Sequence, residues 1–198
     1  AIPLARRCAR VVAVEPSPAM RARMDAAISE LGVDNVEVVP ERWQDADVPV
    51  GDHVICSHVM YATTPVLPFL EKLHDHANKR VTVMLRERPP QANFHELFER
   101  LFGEERIALP AMPEFRNLLE SVGIKYDLHR LEDRPHGMFP NPEAALRRSI
   151  QRLFLNPGSA SAKRLAEILP ECLVPDGEGV RFSWAEPQRG WLVSWSTE

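Results

Sequence analysis

Val11-Val12-Ala13-Val14 is an unbroken apolar run that stops on an acid, Glu15, and is punctuated at once by Pro16-Ser17-Pro18. A short run without polar alternation predicts a strand buried on both faces, as in parallel sheets. Ser17 is a good helix cap and Pro18 a good first helical residue. Met20, Met24, Ala27, Ile28 and Leu31 then recur at helical spacing until Gly32, which predicts a helix from about Pro18 to Leu31. Apolar runs at 36–39, 53–56 and 80–85 read as further strands. Between the last two, residues 65–76 read as a helix with Leu67, Leu70 and Leu73 turned inward. Strands that alternate with helices in this way build βαβ units around a mostly parallel sheet.

Beyond residue 90 the alternation loosens. Helical patterns cover 93–102, 113–122, 142–154 and 162–169, and 125–131 reads as a strand. Asn156-Pro157-Gly158-Ser159 and Pro175-Asp176-Gly177 are turn signals. Residues 134–142 are also rich in turn formers, and 132–178 is expected to be a helical insertion within a single domain. Two β-rich runs, 180–184 and 191–195, are expected to end the chain as an antiparallel strand or a hairpin closing the sheet edge.

Composition narrows the function. The 198 residues carry a net charge of −4 and no Lys/Arg run, which leaves no basic footprint for nucleic acid. No uncharged apolar stretch is long enough to span a bilayer. Arg6, Arg7 and Arg10 break the opening segment, so it does not read as a signal peptide. Cys8, Cys56 and Cys172 are odd in number and widely spaced, against a disulfide framework and for a reducing compartment. The expectation is a soluble cytoplasmic protein. Among the seven histidines, His95, His129 and His136 with Glu96 and Asp133 form no spaced metal signature, and no metal is expected. No nucleophile elbow is present.

An acid at the carboxyl end of a buried strand sits where doubly wound sheets bind ligands, and can accept hydrogen bonds from both hydroxyls of a ribose. The alternatives for Glu15 are a helix-end contact or solvent. The segment from Val11 to Met20, with Val14-Glu15-Pro16-Ser17 at its centre, resembles class I S-adenosylmethionine-dependent methyltransferases, and the resemblance covers roughly the first 90 residues. It implies a Rossmann-like three-layer α/β/α fold, S-adenosylmethionine as cofactor, and methyl transfer to a small-molecule acceptor, with residues 132–178 as a lid over that acceptor. Glu15 would then hold the ribose, with Pro16 and Met20 beside the adenosine. The stretch 36–49 resembles the strand and loop that flank adenine in that family. Where members often carry an acid after this strand, this chain reads Glu41-Arg42-Trp43, so Arg42 and Trp43 would cover the adenine ring. Core packing is the alternative for Trp43.

Residues 51–61 resemble the next strand and the loop between cofactor and acceptor. That places Ser57 at the cofactor, and His58 and Tyr61 at the reaction site. His58 has the side chain best suited to remove a proton, where the acceptor must lose one; a hydrogen bond within the protein is the alternative. Arg86 and Arg88 end the following strand and could recognise a carboxylate or phosphate, or else form ion pairs. The rivals to methyl transfer are a non-catalytic binding module on the same fold and a nucleotide-dependent oxidoreductase. The resemblance also leaves something out: no glycine precedes Gly32, so the family's glycine-rich cofactor loop is not in this sequence. Residues 1–10 read as the second half of an amphipathic helix. In the family, the absent first strand lies between those at 11–14 and 53–56. With strands about 4.8 Å apart, these two are expected not to pair directly, and an upstream segment or another chain is expected to supply the strand.

Overall fold

A computed structural model describes residues 1–134 and 138–198. Pro135, His136 and Gly137, part of the turn-rich stretch, lie outside the described residues. The chain divides into two compact units: residues 1–54, 64–80 and 197–198, and residues 55–63 and 81–196.

In the first unit, helix α1 (Ile2–Ala5) is a single turn. The helix read over the first ten residues stops early because the Asn35 amide donates to the carbonyls of Ala5, Cys8 and Ala9. Strand β1 (Val11–Val14) pairs in parallel with β2 (Val36–Val39), Val11 opposite Val36. Helix α2 (Pro18–Leu31) joins them. It is capped by Ser17 Oγ, which accepts from Met20 N, and it ends at Gly32, whose φ of 62° is left-handed. Strand β3 (Gly51–Ser57) begins in this unit, followed by helix α3 (Val66–Asp75) and the start of β4 (Ala77–Arg86). Leu70 and Leu73 are buried as expected. Leu67 is 43% exposed, and Phe69 takes the inward place instead. Strand β1 belongs to a two-stranded sheet with β2, and β3 to a different sheet, so the two are not paired with each other.

The second unit holds the carboxyl ends of β3 and β4, in a four-stranded sheet of order β3-β4-β8-β5. Strand β5 (Asp127–Arg130) is antiparallel to β8 (Gly190–Ser196). The expected hairpin of the last two β-rich runs does not form. Strand β7 (Gly179–Phe182) turns back instead on β6 (Leu173–Asp176), and β8 lies between β4 and β5 as a terminal antiparallel strand. Sequence reading missed β6 because Pro175 lies within it, and proline marks strands down to edges. Helices α4 (Ala92–Phe102), α6 (Pro142–Arg152) and α7 (Ala160–Cys172) pack with β7 around Leu97, Leu101, Leu165, Leu169 and Phe182. The segment expected as an insertion is thus built into a core with α4. Helix α5 (Met112–Ser121) precedes β5.

Candidate functional site

Glu15 follows β1 directly. Its backbone N–H donates to Val39 O at 3.0 Å, extending the parallel ladder by one residue and fixing where the side chain departs. Oε1 accepts the N–H of Ser17 at 2.9 Å, while Oε2 has no partner among the described residues. The residue is half-buried. The carboxylate is therefore oriented by its own loop and keeps an open acceptor oxygen. Pro16 is exposed and its carbonyl accepts from Arg21 Nη1 at 2.7 Å, which ties the loop to the first turns of α2. Met20, in the first turn of α2, is 48% exposed.

Arg42 is exposed, and its carbonyl accepts the N–H groups of Asp45 and Ala46 in a tight turn. Trp43 is half-buried. His76 meets its ring edge-on with centroids 5.3 Å apart, and Lys72 Nζ lies 5.3 Å from the ring centre. Lys72 is held there by the carbonyls of Gln44 and Ala46. The indole N–H is buried without an acceptor among the described residues. Trp43 thus offers a ligand only what its ring leaves uncovered; its N–H is out of reach.

In the second unit the β3 strand end turns sharply. His58 has φ of 58°, in the left-handed region, and its N–H is bonded to Met84 O at 2.8 Å. A non-glycine residue held there costs of order 1 kcal/mol. The turn leads into a 3-10 helix, Met60–Ala62, which buries Met60 and Tyr61 and stacks the Tyr61 ring on the His58 ring at an interplanar angle of 10°. Tyr61 Oη accepts the backbone N–H of Arg86 at 2.7 Å and lies 3.0 Å from His58 Nδ1. The phenol can accept from Arg86 and still either donate its own hydrogen to Nδ1 or accept one from it, so the tautomer of His58 sets the direction of this bond. Burial, and after it the charges of Arg86 and Arg134, hold the imidazole below its usual value of 6.5. Burial pushes the Tyr61 phenol up, against the Arg86 N–H and charge. Nδ1 of His58 is thus engaged by Tyr61, and Nε2 is the nitrogen left for a ligand. Ser57, just before it, is exposed.

Of the charged residues ending β4, Arg88 pairs with Glu186 at 3.2 Å and Glu87 accepts from Trp191 Nε1 at 2.8 Å. Arg86 has no side-chain partner among the described residues, and with Arg189 it lines a cleft of about 120 Å³. A larger, open cavity of about 510 Å³ lies farther along, walled by α4, residues 105–114 and Trp184. Cys56 is buried, which pushes its thiol up to about 12 and makes it inert. Among the described residues no cluster of His, Cys, Asp and Glu could hold a metal ion, and no helix is long and apolar enough to cross a membrane. Sequence reading missed Arg134 and Arg189, because nothing in the chain's order announces that β8 lies between β4 and β5.

The arrangement of elements matches solved structures along nearly the whole chain. Magnesium protoporphyrin IX methyltransferase from Synechocystis, with bound S-adenosylhomocysteine, superposes with a TM-score of 0.55 at 15% identity, covering 98% of this chain and 68% of that one. Geranyl diphosphate C-methyltransferase from Streptomyces coelicolor gives 0.50 at 12% identity, over 100% and 68%. This is the class I methyltransferase fold. The YcgJ protein of Bacillus subtilis superposes with a TM-score of 0.59 at 11% identity, over 95% and 82%. No protein-family model matches the sequence, and no curated protein matches it. At these identities the methyltransferase fold is what the similarity establishes; the chemistry must be argued from the residues.

Proposed function

We propose that this protein transfers a methyl group from S-adenosylmethionine to a small-molecule acceptor. The observation that carries the reading is Glu15: a half-buried carboxylate at the carboxyl end of a parallel strand, with Oε1 fixed by Ser17 N–H and Oε2 open. Such a group suits the vicinal hydroxyls of a ribose. Pro16 and Met20 line the adenosine beside it, and Arg42 and the free part of the Trp43 ring border the adenine. The cofactor supplies an electrophilic methyl group on a sulfonium; what remains for the protein is mainly orientation.

In the second unit, Ser57, His58 and Tyr61 serve the reacting end. Tyr61 holds the imidazole by its ring and by its hydrogen bond to Nδ1, which leaves Nε2 for the acceptor. From that nitrogen His58 holds the acceptor, and takes its proton where the acceptor must lose one. Structures with this fold include enzymes named for porphyrin and prenyl diphosphate substrates, which supports a small-molecule acceptor.

Calorimetric titration with S-adenosylmethionine and with NAD tests the reading. Binding of S-adenosylmethionine, with a loss of at least tenfold in Glu15→Ala, is the expected result. Preference for NAD would point to an oxidoreductase, and binding of neither to a non-catalytic module. A Glu15→Ala variant that binds as tightly as the parent removes the ribose assignment.

A further inference from the structure

Three neighbouring strand ends of the second unit carry arginines to one place. Arg86 closes β4. Arg189 stands just before β8, and its carbonyl accepts the N–H of Glu87 at 2.9 Å. Arg134 lies beyond β5, where it exchanges two backbone hydrogen bonds with Gln188 at 2.9 and 3.1 Å. Arg86, Gln188 and Arg189 line the same cleft of about 120 Å³. The backbone N–H of Arg86 is bonded to Tyr61, which lies against His58, so the arginines adjoin that pair.

The carboxylates around them have other partners, although Glu87 and Glu186 also line the cleft. Glu87 accepts from Trp191, Glu186 pairs with Arg88, and both oxygens of Asp133 bond Arg130 at 3.0 Å. Glu132 makes no ion pair with the three among the described residues. Arg86, Arg134 and Arg189 have no side-chain hydrogen bond or ion pair among the described residues, although four acids lie within a few positions in sequence. Arg86 and Arg189 line the cleft, and the charge of Arg134 acts with that of Arg86 on His58; like charges brought this near favour an anion between them, and their planar forks fit the oxygens of carboxylate or phosphate.

We infer that Arg86, Arg134 and Arg189 form an oxyanion-binding site beside His58 and Tyr61, and that the acceptor of the proposed reaction carries a carboxylate or phosphate group. The first half of this inference stands on the cleft alone; the second rests on the methyl-transfer reading. Burial holds His58 below its usual value, and the charges of Arg86 and Arg134 add to that. An anion bound there would set an oxygen- or nitrogen-bearing substrate next to the His58 ring.

The test is an NMR titration of the protein at low ionic strength with pyrophosphate, succinate and the neutral succinamide, following arginine Nε–H and the His58 ring, with S-adenosylmethionine titrated separately. Saturable binding of pyrophosphate or succinate, but not succinamide, is expected. Which anion binds tells a phosphate-bearing from a carboxylate-bearing acceptor. Arg134→Gln and Arg189→Gln, both at exposed positions, should each weaken it about tenfold, as expected for losing one charge-assisted contact. Binding of neither anion, equal binding of succinamide, or unchanged affinity in both variants overturns the site. Anion binding without S-adenosylmethionine binding would keep the oxyanion site and overturn the methyl-transfer reading.

Discussion

Replacing Tyr61 by Phe removes one oxygen and should be felt twice. That oxygen accepts the Arg86 N–H at 2.7 Å and shares a 3.0 Å hydrogen bond with His58 Nδ1, and the tyrosine is only 6% exposed. The phenylalanine ring fits the same space, so no cavity forms, but the Arg86 amide is left without an acceptor in a half-buried position. An orphaned donor of that kind costs about 2 kcal/mol. With an m-value of about 2 kcal/mol/M, the urea midpoint should fall by about 1 M at unchanged m. The second effect is on His58. Its folded value lies below 6.5 because the neutral ring is favoured. Stability from this group is complete above the unfolded value and is lost as pH falls through the folded one. A phenol that donates to Nδ1 supports the neutral ring, so its loss raises the His58 value toward 6.5 and narrows the pH-dependent window; a phenol that accepts from Nδ1–H gives the opposite sign. Urea curves at several pH values and an NMR titration of the His58 ring measure both effects. A Tyr61→Phe protein with parental stability and an unmoved His58 titration would refute the network.

Other expectations follow from single residues. Gly179 opens β7, where a β-carbon would collide with the Phe139 carbonyl, and Phe139 and Val180 exchange hydrogen bonds of 2.8 and 2.9 Å there. Gly179→Ala should therefore cost about 1–3 kcal/mol, read as a lower urea midpoint. Cys8 is exposed, whereas Cys56 and Cys172 are buried with raised thiol values. A thiol reagent should label Cys8 alone in the native protein and all three cysteines in denaturant, as mass spectrometry would show; native labelling of Cys56 would contradict its burial.

The local elements of the first unit were legible because each depends on residues within a turn or two of itself. Val11–Val14 and Val36–Val39 are apolar runs too short to be helices, and α2 has its cap at Ser17, its proline at Pro18 and its stop at Gly32. Glu15 could be singled out for the same reason: a strand end followed by a cap is visible in order along the chain. Reading failed where the deciding group is distant. Helix α1 stops because Asn35 clamps its end, and β6 survives Pro175 because β7 returns to it. The run 191–195 joins β4 and β5, not the neighbouring run 180–184.

What the sequence determined by itself is the alternation of strands and helices, and the position of an acid, a histidine and a tyrosine at strand ends. Only the tertiary structure decided what those groups can do. The Tyr61 phenol binds an amide 25 residues away and at the same time engages Nδ1 of His58. Arg86, Arg134 and Arg189 stand at neighbouring strand ends because β8 enters the sheet between β4 and β5. Strand order is set by packing and hydrogen bonding between distant segments, and no local pattern of side chains records it.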